Sequence, residues 1–185
     1  MDDWNKYARG TISAWEMEVL CFYYHDHELA KINNYAYGFS NFYDLPSEPE
    51  VERTFTKGGK EIKIYKLAKI CGTCIAKNKN KATVTLLTTD GVVDVKFRKE
   101  YWALFDSQIS AKGADGKKHV LEKSWFNRGS MIIVQGMRSE DNFIAKKYAN
   151  SGSEHQLYKI DEVIDDEIRI RTTRAQGDST EDEEE

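Results

Sequence analysis

The sequence predicts a mainly β protein built on one small barrel, and three observations within residues 65–105 predict it. The first is a pair of β-type runs, Leu67 to Ala76 and Ala82 to Thr89. In the latter, Val84 and Leu86 share one face, and Thr83 and Thr85 the other. The second is Asp90-Gly91, a dipeptide that favours tight hairpins, followed by another run of period two. In that run Val93, Val95 and Phe97 face a core while Asp94, Lys96 and Arg98 face water. The third is a short amphipathic helix over Glu100 to Asp106 that buries Trp102 and Phe105. Three strands in a meander, then a helix, then more strand is the order of an OB-fold barrel. Such barrels hold single strands on the outer face of strands two and three and on neighbouring loops.

In chain order, residues 1–56 read as a helical segment and linker, 57–160 as the OB-fold domain, and 161–185 as a disordered acidic tail. Ser13 and Glu16 fit a capping box. Trp15, Val19, Phe22 and Tyr23 then recur at helical spacing. Pro46 and Pro49 within the acidic stretch Leu45–Glu52 mark a linker. Gly58-Gly59 is a turn, and Glu61 to Tyr65 leads into the first barrel strand.

Three cysteines and no export-type N-terminal pattern predict a cytoplasmic protein, and no apolar run approaches the roughly 20 residues that span a bilayer. The net charge of −4 is strongly segregated. Residues 1–56 carry 4 Lys/Arg against 10 Asp/Glu, residues 57–150 carry 19 against 9, and residues 161–185 carry 3 against 11. A basic barrel between acidic ends should attract polyanions.

The expected binding surface follows from the barrel order. Lys77, Lys79 and Lys81 line the loop after the first strand. Thr83 and Thr85 on strand two lie beside Lys96 and Arg98 on strand three. Past the fourth strand, Arg138, Phe143, Lys146, Lys147 and Tyr148 add charge and aromatic planes. Lysines track phosphates and an exposed ring stacks on any base, so single-stranded DNA bound without sequence preference is the expected partner.

The run from Glu16 to Leu29 resembles a segment of the bacterial DNA polymerase III α subunit that precedes its OB domain. Glu16, Glu18, Val19, Leu20, Phe22, Tyr23, His27 and Leu29 match it. Cys21, His25-Asp26 and Glu28 depart from it, standing where the family has Gly, Ser-Gly and Pro. Leu87 to Phe97 resembles the hairpin of that domain and Gly129 to Arg138 its fourth strand, in the same order. Residues 107–124 look inserted relative to the family, with Ala114 to Lys117 as a hairpin tip. The resemblance implies a role in DNA replication, with other polymerase or replisome subunits as possible partners and no membrane. The family's catalytic aspartates lie far upstream of the matched segment. The chain is therefore expected to be a non-catalytic piece of a polymerase.

Other chemistry finds little support. Cys71 and Cys74 form a C-x-x-C, but three residues along a strand they point to opposite faces. Neither a redox pair nor a metal site is expected, Cys74 reads as a core residue, and no cofactor is called for. His27 reads equally as a hydrogen-bonded structural histidine. No Gly-rich phosphate loop or nucleophile constellation is present. Two other functions fit the same sequence: an adaptor docking on a replisome partner, and an RNA- or tRNA-binding OB domain.

Overall fold

Strand alternation decides the architecture. The computed structural model describes residues 16, 19–22, 24, 26–113, 116–148, 156–164 and 166–175. The meander comprises β3 (Ala68–Asn78), β4 (Thr83–Thr88) and β5 (Gly91–Lys96), paired antiparallel in that order. Helix α2 (Lys99–Asp106) follows, with Trp102 and Phe105 buried as its spacing predicts. Strand β8 (Met131–Ser139) then pairs with β3, and β9 (Asn142–Ala145) pairs antiparallel with β8 and parallel with β5. The circuit β3–β4–β5–β9–β8–β3 is closed, which removes every free edge from these five strands. This is the OB-like barrel that the sequence leads one to expect.

Closure turns on Gly136. It pairs with Ala68 on β3 and with Ala145 on β9, where β8 passes from one neighbour to the other. A Cβ at this position would sit 2.1 Å from the Ile144 carbonyl oxygen and 2.8 Å from the Phe143 ring. Only the bare backbone lets the strands approach this closely.

Two apolar clusters hold the fold. The barrel core contains Ile70, Val84, Leu86, Val93, Val95, Ile132, Val134 and Phe143, capped at one end by aromatic rings. Phe126 lies 5.0 Å from Phe97 and 4.8 Å from Trp102, and Trp125 lies 5.0 Å from Phe105, within the range of favourable ring pairs. The second cluster sits outside the barrel, where Leu29, Ile32 and Phe39 cover Cys71, Ile133 and Ile160. Within this covering segment, helix α1 (Asn34–Tyr37) is capped by the Asn33 side chain, which accepts from the Ala36 N–H.

Several expectations change. The stretch around Pro46 and Pro49 leads into β1 (Val51–Lys57), which forms a two-stranded hairpin with β2 (Lys60–Tyr65) across Gly58-Gly59. In the barrel hairpin, Thr88 pairs with Gly91, so Thr89-Asp90 form the tip rather than Asp90-Gly91. Gly91 has φ +145°, and a Cβ there would meet the Tyr43 ring at 2.9 Å. Residues 107–124, expected to be an insert, contain a hairpin of β6 (Ile109–Lys112) and β7 (Lys118–Glu122), while Ala114 and Asp115 at its expected tip lie outside the described residues.

The boundary set at 160/161 falls inside β10 (Leu157–Ile164), which pairs with β8 and carries β11 (Glu167–Arg171) at its edge. Residues 161–164 and 167–171 are strand because Val163 and Ile168 pack on the second cluster and the Ile168 N–H donates to the Tyr37 hydroxyl. The acidic run Asp178–Glu185 lies outside the described residues, as do Ser13, Trp15 and Tyr23 of the expected first helix. Val19 and Phe22 from that helix's apolar stripe are exposed.

Candidate nucleic-acid interface

The outer face of β4 and β5 carries an open groove of about 800 Å³. Register builds it. Asn78, Thr83 and Lys96 form one cross-strand row, and Ala76, Thr85 and Asp94 the next. Asn142 on β9 extends the second row. Lys77 and Lys81 complete the lining at the β3–β4 turn. The turn is held by the Asn78 side chain, which accepts from the Lys81 N–H, and Ala82 leaves it at φ +49°. Five of the expected residues, Lys77, Lys81, Thr83, Thr85 and Lys96, therefore line one groove.

The cations in and beside the groove are not equivalent. Lys77 Nζ lies 2.5 Å from Asp106 Oδ1, which also accepts from the Ser124 hydroxyl at 2.8 Å. Burial pushes the Asp106 carboxyl up, but the bonds from Lys77 and Ser124 and the charges of Lys77 and Lys79 outweigh it and hold it below its ordinary value. Lys77 thus ties the end of β3 to the C-terminus of α2. Lys79, Lys81 and Lys96 are exposed and have no ion pair among the described residues. Thr83 is buried and donates to the Lys81 carbonyl, and Thr85 donates to Asp94 at 2.7 Å. Asp94 places a carboxylate in the middle of the face, beside Lys96.

Arg98 lies past the end of β5, at the N-cap of α2, 4.0 Å from Glu100. Phe143 is fully buried in the barrel core and cannot stack on a base, because its partner across the parallel ladder is the inward Val95. Arg138 is a structural clamp. It donates to the carbonyls of Phe42, Tyr43, Leu45 and Glu140, and its guanidinium lies 4.7 Å from the Phe42 ring centre. Lys146 sits elsewhere, 5.2 Å from the Tyr65 ring centre and 5.1 Å from that of Tyr148, with Lys147 half-buried between them in sequence.

Cys71 faces the second cluster and Cys74 the barrel core, so their sulfurs diverge as strand geometry requires. Burial pushes the Cys71 thiol up to about 12 and raises that of Cys74 further. Among the described residues no group of His, Cys, Asp and Glu is placed to share a metal ion. No helix among them is long and apolar enough to cross a membrane. His27 Nδ1 accepts from the Leu29 N–H, which leaves the proton on Nε2, 3.0 Å from the Leu87 carbonyl. It is a staple between the N-terminal segment and the barrel.

One charged cluster carries no local signal in the sequence. Glu122 is buried and accepts from Trp125 Nε1 at 2.6 Å and the Ala175 N–H at 2.7 Å, with Arg171 also at 2.7 Å. Arg174 donates to the Leu104 and Ser107 carbonyls at the C-terminal end of α2 and to the Lys123 carbonyl just past β7. This cluster anchors the chain up to Ala175 on the barrel.

The chain is 40% identical over 176 residues to the probable DNA polymerase YorL of Bacillus subtilis (strain 168), and equally to a DNA-directed DNA polymerase of Bacillus phage SPbeta. The chain is related to DNA polymerases. The match covers 94% of this chain and 13% of each relative, so it corresponds to a small part of much longer proteins. No family model matches it, and no solved structure does.

Proposed function

We propose that this chain is a single-strand-binding OB module of a DNA polymerase, holding template without sequence preference. The supporting observation is the groove on β4 and β5 in a polymerase-related barrel, with Lys81 and Lys96 in it and Lys79 on the adjoining turn. Cations without carboxylate partners along an open groove suit a phosphate backbone, and base-edge readout is not expected of them. The place of this module in its polymerase corresponds to that of the OB segment in the DNA polymerase III α subunit. The catalytic work belongs elsewhere in such a polymerase, and the isolated chain supplies no nucleotidyl transfer.

Fluorescence anisotropy with labelled oligothymidylate over a range of salt concentrations tests this reading. Binding should weaken steadily with salt, and unlabelled DNA should compete at least as well as RNA of the same sequence. Primer extension with Mg²⁺ should give no product. Salt-independent binding, or none, would instead favour the adaptor reading, to which the exposed Val19, Leu20 and Phe22 lend support as a docking patch.

A further inference from the structure

A second groove lies at the base of the β1–β2 hairpin, toward the other end of β3. Its volume is about 490 Å³, and its walls include Arg53, Lys66, Lys69, Gln135 and Tyr148, with Glu52 the acidic member. It continues into a neighbouring cavity of about 310 Å³ through Lys66, Leu67 and Lys69, which line both. Among the described residues neither Arg53 nor Lys69 is in an ion pair, while Lys66 has Glu50 at 3.5 Å.

Aromatic groups sit beside these charges in a fixed arrangement. The Tyr65 N–H donates to the Tyr148 hydroxyl at 2.9 Å, which fastens the hairpin base to the chain after β9. Lys146 lies between the two tyrosine rings, and Lys69 approaches the Tyr158 ring at 6.0 Å. Of these tyrosines Tyr148 lines the groove itself, and cations beside such a ring are the chemistry that tracks a phosphate backbone and stacks its bases.

We propose that this groove is a second contact for single-stranded nucleic acid, so that one strand runs from the β4–β5 face to the hairpin base. The inference rests on the proposed single-strand reading and extends it. Lys69 and Asn78 are nine residues apart on β3. At about 3.3 Å per residue they are separated by roughly 30 Å. That span lies beyond a short oligomer and within reach of a longer one, in keeping with site sizes of about 4 to 16 nucleotides per OB fold. A strand long enough to fill both grooves gains from the high effective concentration of its second half.

The test compares the wild type with the double variant Arg53→Ala/Lys69→Ala, using oligothymidylates of about 5 and about 16 nucleotides at low salt. The wild type should bind the longer oligomer at least tenfold more tightly than the shorter. In the variant this length gain should fall below about threefold, while affinity for the short oligomer stays within about twofold. Retained short-oligomer binding also shows that the variant is folded. Lys81→Ala/Lys96→Ala should weaken the short oligomer instead. A length gain that survives in Arg53→Ala/Lys69→Ala overturns the second groove and leaves the first standing. If the wild type binds neither oligomer, the single-strand reading itself falls, and this inference with it. Tyr148→Leu is a second probe that keeps every charge. It should lower the cross-linking of 5-iodouridine oligomers to the peptide that carries residue 148, and unchanged cross-linking there would count against the proposal.

Discussion

The salt dependence of single-strand binding should report how many cations are free to meet phosphate. Counting charges in the sequence suggests five around the β4–β5 face: Lys77, Lys79, Lys81, Lys96 and Arg98. At about −0.7 per contact on single strands, five contacts give a slope of log K against log salt near −3.5. Two of the five already have carboxylates, Lys77 with Asp106 at 2.5 Å and Arg98 with Glu100 at 4.0 Å. With Lys79, Lys81 and Lys96 left, the slope for a short oligomer should be near −2. Lys81→Ala/Lys96→Ala should flatten it by about 1.4. Lys77→Ala should leave it nearly unchanged and instead cost stability, because Asp106 loses its ion pair. Anisotropy titrations at several salt concentrations, with thermal melts of each variant, separate these effects. If Lys77→Ala flattens the slope by a full contact, about 0.7, then Lys77 leaves Asp106 for the DNA and its ion pair does not withhold it.

Three further outcomes are expected. Gly136→Ala should destabilise the barrel by about 3 kcal/mol or prevent its folding, since the added carbon meets backbone rather than a movable side chain; urea titration reads this directly. Acid should act in two stages. His27 has its pKa lowered by burial, so its contribution is complete above about 6.5 and is lost as pH falls below that value. Glu122 and Asp106 have lowered pKa values, so theirs persists above the ordinary carboxylate range and is lost only as pH falls through it; a melting series on wild type and His27→Gln should show the upper stage in the wild type alone. Truncation after Ala175 should tighten single-strand binding at low salt and matter little at high salt. The six acidic residues of Asp178–Glu185 follow an anchor on Glu122, at the same end of the barrel as Asp106 and Lys77, and titration of the truncated chain checks this.

How far the sequence could be read depended on whether a signal was local. The meander and α2 were legible because each alternation is complete within a few residues: Val93, Val95 and Phe97 inward, Asp94 and Lys96 outward, Trp102 and Phe105 three apart. The β1 strand was not legible, because all seven of its residues are exposed and no apolar stripe distinguishes it from a linker. The Arg171–Arg174 anchor was hidden because its partners lie some 50 to 70 residues earlier.

The candidate site divides along the same line. Thr83, Thr85 and Lys96 could be placed on one face from their own strands. For three residues the deciding partner is distant in sequence. Lys77 is tied up by a carboxylate 29 residues away, and Arg138 by carbonyls 93 to 96 residues earlier. Phe143 is the sharpest case. The run Asn142 to Ala145 alternates, so one parity must point inward, but nothing within it says which. The answer comes from β5, where parallel pairing sets Phe143 opposite the inward Val95 and Asn142 opposite the outward Asp94. A slip of one residue would have put the ring in the groove and the amide in the core. The chemistry of the β4–β5 face therefore depends on how the barrel closes, and closure depends on Gly136, which belongs to neither of those strands.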